Sequence, residues 1–309
     1  MVDPIKLGMI GINAGNGHPF SFAAIINGFD REGMKNSGWD VIYNYLITRH
    51  ASEFGFDGVQ VTHAWTQDAE QTAKLAKASM IPNTVAEIGD MVDEVDGVII
   101  ARDDFETHYP LAKLFLEKGK FVFIDKPLSL DIDELRFFKK YLEGAQLMSC
   151  AGARYARELD EIRANIASFG KLKLIRGTVV NGMEKYGVHM LDGIFGVTGF
   201  HANSVSCVEA NHTSMMIRNT DNSLIYIDAL GSAAKTLQFD FWSDTQRFHA
   251  ETNDNFSMFR RLLADFIKMI RTGKPSVDPE LVVNTMKVLI AANRSKHEQR
   301  EIKIEEIVI

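Results

Sequence analysis

Short, mostly apolar runs alternate with helix-period segments through the first half of the chain. Runs 6–12 (KLGMIGI), 59–64 (VQVTHA), 97–101 (GVIIA), 121–124 (FVFI) and 147–150 read as strands, and segments 20–27, 68–79, 106–118 and 131–143 read as helices. Within 106–118, Leu111, Leu114 and Phe115 recur three or four residues apart, which makes one buried stripe, and Gly119 stops the helix. Apolar strands that alternate with helices predict a parallel sheet covered on both faces. Residues 28–58 break the rhythm. The stretch 41–54 has helical length and spacing, so the break predicts a helical insertion.

Beyond residue 150 the pattern changes. Runs 172–181, 204–210, 213–219, 223–228 and 236–242 are β-type and closely spaced. Turn chemistry at Asn219-Thr220-Asp221-Asn222 and Gly231-Ser232 joins some of them, which predicts an antiparallel sheet. Segment 256–271 is an amphipathic helix closed by Gly273 and Pro275, and 281–295 is another. Residues 302–309 alternate acidic and apolar residues, as an edge strand would. The change of pattern divides the chain into 1–150 and 151–309.

Composition narrows the class. The chain has 309 residues, and domains usually run ~100–200, so two domains are expected. Lys and Arg number 34 against 41 Asp and Glu, and the net charge of −7 is spread without a basic run. That excludes an electrostatic footprint for nucleic acid or anionic lipid. No apolar stretch approaches the ~20 residues of a membrane span. The opening Met-Val-Asp-Pro lacks the regions of a secretory signal. Cys150 and Cys207 stand far apart, which argues against a disulfide framework or a metal site and fits a reducing cytoplasm.

Four places carry candidate chemistry. Gly11-Ile12-Asn13-Ala14-Gly15-Asn16-Gly17-His18 follows a strand and opens a helix, the context of a phosphate-binding turn. At the end of the next strand, Thr66 occupies the slot where a carboxylate often holds a ribose, and Asp68 reads as the following helix cap. No Arg or Lys stands there to take a 2′-phosphate, so NAD and NADP both remain open. Lys126, in Asp125-Lys126-Pro127-Leu128-Ser129, sits at the carboxyl end of a buried strand, where an ammonium can hold a substrate oxygen. The alternative is a solvated lysine paired with Asp125. Last, His189 and Asp192 are three residues apart on one helix face, a proton carrier beside a carboxylate. Trp39, in the insertion, reads as packing.

In this order the four places resemble the glucose–fructose oxidoreductase/inositol dehydrogenase (Gfo/Idh/MocA) family. The resemblance covers nearly the whole chain. It rests above all on Asp125-Lys126-Pro127-Leu128-Ser129, similar to the family's E-K-P-x-[SA], supported by 105–108, Ala153-Arg154-Tyr155 and His189-x-x-Asp192. It implies a Rossmann domain with helices on both faces of a parallel sheet, then an α+β domain with an open, mostly antiparallel sheet. It implies NAD or NADP and a hydride transfer at one carbon of a sugar, polyol or sugar-acid-like substrate. Lys126 and His189 would be catalytic, and Arg154, Tyr155, Lys185 and Asp192 would face the substrate. Cofactor contacts would come from Gly11, Asn13, Gly15, Asn16, Gly17, His18, Trp65, Thr66, Arg102, Asp103, His108, Lys126 and Pro127. A homodimer or homotetramer through the open sheet is implied.

Two departures from the family pattern stand out. Many members carry D-x-x-x-H, and here Lys185 stands four residues before His189, where it would suit an anionic substrate. The family's small-residue–Pro pair after the fourth strand is replaced by Asp103-Asp104. The first departure leaves a second reading open, a regulatory protein that binds dinucleotide without turnover.

Overall fold

A computed structural model describes residues 4–309, which form two compact units. The first takes residues up to 128, 140–149 and 259–276; the second takes 129–139, 150–258 and 277–309.

The first unit is built on six parallel strands: β1 (Ile5–Ile10), β2 (Val59–Trp65), β3 (Asn83–Thr84), β4 (Gly97–Ile100), β5 (Phe121–Ile124) and β6 (Leu147–Ser149). Their order is β3-β2-β1-β4-β5-β6. The chain reverses direction across the sheet between β1 and β4, and in open α/β sheets that crevice, at the carboxyl ends of the strands, is where ligands bind. Helices α1 (His18–Asn27), α2 (Arg31–Lys35), α3 (Asp40–Leu46), α4 (Ala69–Ala78), α5 (His108–Glu117) and α6 (Ile132–Glu143) fill the connections. Every residue of β4 is buried, which explains its uniform hydrophobicity.

The core of this unit includes residues from far along the chain. In α9 (Asn255–Thr272), Phe259, Leu262, Leu263, Phe266, Ile267 and Met269 are buried at three- and four-residue spacing. The Phe266 ring lies 5.8 Å from Phe123 of β5, and Phe259 lies 5.1 Å from Phe22 of α1. The other face of α9 donates to segment 28–58, from Arg260 Nε to the Glu53 carbonyl at 2.6 Å and from Arg271 to the Asp57 carbonyl. Segment 28–58 is less regular than the pattern predicted. The expected single helix over 41–54 is α3 followed by a separate 3₁₀ turn at Ala51–Glu53. The break has a local cause, because the His50 side chain and Glu53 cap that turn and start a new element.

The second unit carries α7 (Asp160–Asn165), α8 (Met183–Thr198), α10 (Pro279–Glu298) and seven strands: β7 (Leu172–Val179), β8 (Ala202–Glu209), β9 (Thr213–Asn219), β10 (Leu224–Ala229), β11 (Leu237–Ser243), β12 (Arg247–Glu251) and β13 (Ile302–Lys303). Their order is β12-β11-β7-β10-β9-β8-β13, antiparallel except for β7 beside β10. Glycines let α8 lie close to this sheet. A Cβ on Gly177 of β7 would meet the Met190 side chain at 3.0 Å, and one on Gly193 of α8 would meet the Phe239 ring of β11 at 2.6 Å. The opposite sheet face is mixed, with Tyr226 against Met216 and Arg176 paired to Asp228 at 2.7 Å. The expected edge strand over 302–309 pairs only through Ile302–Lys303 and then turns into a 3₁₀ helix at Ile304–Glu306. Glu306 accepts from the Lys303 N–H at 2.8 Å and pairs with Arg300, which curls the chain while Ile302, Ile304 and Ile307 stay buried.

Gly193 offers a test of this packing. Ala gains ~1 kcal/mol of helix propensity there, but its methyl must displace the fully buried Phe239 ring, an overpacking cost of ~1–3 kcal/mol. Gly193→Ala is expected to lower the urea midpoint. A raised midpoint would mean that the ring gives way freely.

Candidate active site

The turn after β1 is shaped by backbone that side chains resist. Gly11 and Gly15 have φ of 85° and 80°, in the left-handed region. A Cβ on Gly11 would overlap the aliphatic stem of Arg102, whereas one on Gly15 would meet nothing within 4 Å. Gly17 serves a different need: a Cβ there would strike the Trp39 ring and Ile42 of α3, so this glycine lets segment 28–58 close against the start of α1. Trp39 is therefore packing, as its position suggested. A left-handed glycine turn with open space above it, leading into a helix N-terminus, fits a dinucleotide pyrophosphate.

The polar residues of the turn are tied to two buried carboxylates at the ends of β4 and β5. Asn13 Nδ2 donates to Asp103 Oδ1 at 2.5 Å, and its Oδ1 accepts from the Asp103 N–H at 3.3 Å. Asn16 Nδ2 donates to Asp125 Oδ2 at 3.1 Å, and its Oδ1 accepts from the His18 N–H at 2.8 Å, serving α1 in place of a capping side chain on Gly17. His18 Nδ1 lies 2.6 Å from the same Asp125 oxygen. Burial pushes the Asp125 carboxyl up, but His18, Lys126 and the hydrogen bonds from His18 and Asn16 outweigh it and hold it well below the usual carboxylate range. The carboxylate therefore accepts, and Nδ1 of His18 carries the proton.

Lys126 is buried, its side chain 3% exposed, so the solvated alternative is wrong. Its Nζ lies 3.4 Å from Asp103 Oδ2, and its N–H donates to Asp125 Oδ1 at 2.9 Å. The bond to Pro127 is cis. Asp125, which the sequence offered only as a partner for a solvated Lys126, is thus a hub for the turn, the helix start and the lysine.

Several expected cofactor residues are occupied by the fold itself. The Thr66 hydroxyl lies 2.8 Å from that of Thr72 and donates to the Asp68 carbonyl at 2.7 Å. Asp68 caps α4 through the Gln71 N–H at 2.8 Å, as its position suggested. Trp65 Nε1 donates to the Ala86 carbonyl at 3.0 Å. His108 is fully buried, with Nε2 2.9 Å from the Arg102 carbonyl and Nδ1 3.0 Å from the Leu128 carbonyl, so it braces the loops after β4 and β5. Arg102 is paired with Asp104. Sequence reasoning missed Gln67, whose amide bonds both the carbonyl and the N–H of Ile12 and anchors the glycine turn to the end of β2. No periodicity or spacing marks such a residue.

In the second unit, Asp192 on α8 is buried and accepts from the Ala151 N–H at 2.5 Å. Burial raises its carboxyl to about 6, although Arg154 and that N–H both pull the other way. Arg154 lies close over Gly196, where a Cβ would come within 3.2 Å of its stem. Its Nη1 is buried without a hydrogen-bond partner among the described residues. Arg154 and Tyr155 belong to a 3₁₀ turn at Gly152–Tyr155 that is half-buried at both residues. His189 is half-buried, its ring tilted against Tyr186 with centroids 5.4 Å apart, and Lys185 is exposed on the first turn of α8. The structure thus brings Arg154 and Asp192 together, beside the α8 residues His189 and Lys185.

A family model, described as an oxidoreductase family with an NAD-binding Rossmann fold, matches residues 5–152. These residues belong to the Gfo/Idh/MocA oxidoreductase family. That stretch is accordingly an NAD-binding Rossmann domain of an oxidoreductase family. Solved structures of inositol dehydrogenases and other dehydrogenases share the chain's fold. A probable dehydrogenase from Thermotoga maritima is 16% identical, with a TM-score of 0.76 over 98% of this chain and 100% of that one. Myo-inositol 2-dehydrogenase from Lactobacillus plantarum is 16% identical, with a TM-score of 0.77 over 97% and 99%. Scyllo-inositol dehydrogenase from Lactobacillus casei, solved with NAD(H) and scyllo-inositol, is 14% identical, with a TM-score of 0.77 over 98% and 100%. No curated protein sequence matches. Among the described residues no helix is long and apolar enough to cross a membrane.

Asp192 carries a pH signature. A carboxyl raised from 3.8 to about 6 binds more protons folded than unfolded, so it lowers stability as pH rises through that window. The loss reaches ~3 kcal/mol at most, complete above about pH 6. Asp192→Asn keeps an oxygen for the Ala151 N–H. The difference in unfolding free energy between wild type and variant should therefore shift in favour of the variant between pH 4 and 6. A difference that is flat with pH would show that Asp192 is not raised.

Proposed function

We propose that the chain is a dehydrogenase acting on a CH–OH group of a polyol, sugar or sugar-acid-like substrate. The observation that carries this reading is the buried Lys126 ammonium, held at the carboxyl end of β5 and linked through Asp103 to the glycine turn. Bound nicotinamide supplies the hydride acceptor or donor. Lys126 hydrogen-bonds the reacting oxygen and stabilises the negative charge that grows on it. His189 takes the hydroxyl proton as hydride leaves the carbon, and returns it in the reverse direction. Arg154, Tyr155, Lys185 and Asp192 hold the other substrate groups, with the buried Arg154 Nη1 as a donor for a hydroxyl or carboxylate. The scyllo-inositol bound to the Lactobacillus casei protein supports a polyol. Gly11, Gly15 and the start of α1 receive the dinucleotide pyrophosphate.

Two further parts of the proposal concern assembly and compartment. The mixed sheet face bearing Tyr226, Met216 and Trp242 serves a homodimer or homotetramer. The two free thiols, Cys150 and Cys207, suit a cytoplasm that keeps them reduced.

Turnover of myo-inositol, scyllo-inositol, sugars and sugar acids with NAD⁺ or NADP⁺, followed at 340 nm, tests the reading. At least one substrate should turn over, and Lys126→Ala and His189→Ala should each lose ~100-fold or more in kcat/KM. Full activity in Lys126→Ala would overturn the proposal. Stoichiometric NADH binding with no turnover on any substrate would favour the non-catalytic dinucleotide-binding reading that Lys185 leaves open.

A further inference from the structure

The adjacent acidic residues Asp103 and Asp104 split their duties. Asp104 pairs with Arg102, a local contact at the half-buried edge of the loop after β4. Asp103 points inward. Its side chain is 9% exposed, and its two oxygens face different elements. Oδ1 accepts from Asn13 of the glycine turn at 2.5 Å, and Oδ2 lies 3.4 Å from the Lys126 ammonium. The Asn13 contact is two-way, because Asn13 Oδ1 also accepts from the Asp103 N–H. One carboxylate therefore spans three consecutive strand ends, those of β1, β4 and β5.

This geometry has physical consequences. A buried ammonium needs a counter-charge, and burying one is expensive without hydrogen bonds to fix its place. Asp125 also lies near the lysine, but its oxygens are engaged by the Lys126 N–H, Asn16 and His18. Asp103 Oδ2, by contrast, lies within reach of Nζ itself. Since the opposite oxygen is gripped by the turn, a displacement of Asn13 moves the carboxylate, and the carboxylate moves the ammonium. A dinucleotide phosphate on the turn would lie beside Asn13.

We infer that Asp103 is a positioning residue that aims the Lys126 ammonium and couples it, through Asn13, to occupancy of the dinucleotide turn. The inference rests on the dehydrogenase reading only for the use to which the ammonium is put; the coupling itself stands apart from turnover. In the paired state the carboxylate holds the ammonium ready. As negative charge develops on a substrate oxygen, the ammonium can turn a second N–H toward it while remaining neutralised from behind.

The side-chain ammonium resonance of Lys126 in ¹⁵N-labelled full-length protein tests this without any substrate. Exposed lysine ammonium protons exchange with water too fast to be seen, whereas a buried, paired one persists; Lys126→Arg assigns the signal by removing it. The wild type should show the signal, and NADH should shift it. Asp103→Asn should broaden it beyond detection. Asn13→Ala, the milder change, should retain the signal but give a smaller NADH-induced shift, the part that direct contact of the cofactor with Lys126 supplies. An unchanged signal in Asp103→Asn, a wild type without the signal, or an Asn13→Ala protein whose NADH shift equals that of wild type would overturn the inference. With a substrate that turns over, Asp103→Asn should lower kcat by up to ~100-fold with little change in the polyol KM, as misplacement of a reacting group does. A raised KM with kcat intact would also overturn it. Loss of turnover in Lys126→Ala alongside a normal Asp103→Asn enzyme would discard this inference and leave the dehydrogenase reading in place.

Discussion

Buried charge is the constraint around which the first unit is arranged. Two carboxylates and an ammonium lie at the carboxyl edge of a parallel sheet, out of reach of bulk water. Each would be intolerable there alone. They persist because Asn13, Asn16 and His18, side chains from one short turn, supply the missing hydrogen bonds. The glycines of that turn permit its path, and the amides and imidazole fix its place. The glycine turn and the lysine are thus parts of one polar network, which ties the end of β1 to the ends of β4 and β5.

The second unit handles its buried charge differently. Asp192 has one backbone donor, and Arg154 beside it, yet burial still prevails and raises the carboxyl to about 6. A group left in that condition gains from any ligand that brings further donors. Asp125 differs because His18, Lys126 and Asn16 together outweigh its burial.

Much of this was legible in the chain. β1, β4 and β5 announce themselves because strands covered on both faces must be apolar throughout, and Lys126 was conspicuous as a cation directly after such a run. The Asp68 cap follows from local chemistry and was readable for that reason. What could not be read were relations at long range. Nothing near Gln67 reveals that its amide grips Ile12, and Thr66 looked available until Thr72 and Asp68 took its hydroxyl. His108 belonged to the right motif, yet only the fold shows both its nitrogens against carbonyls. The strand β12 escaped notice because Arg247, His249 and Glu251 leave too few apolar positions to mark a period. The periodicity of 256–271 told which residues of α9 are buried, but not that Phe259 and Phe266 close over rings of the first unit.

That last feature bears on how the polypeptide matures. The Rossmann unit is discontinuous: Phe22 and Phe123, besides touching each other, pack on Phe259 and Phe266 from residues 259–276. During synthesis at ~5–20 residues per second, the ribosome releases β1 through β6 well before that helix exists. For that interval the sheet has an uncovered oily flank, the condition in which nascent chains attract chaperones. A fragment cut after the sixth strand would lack the helix that covers this flank.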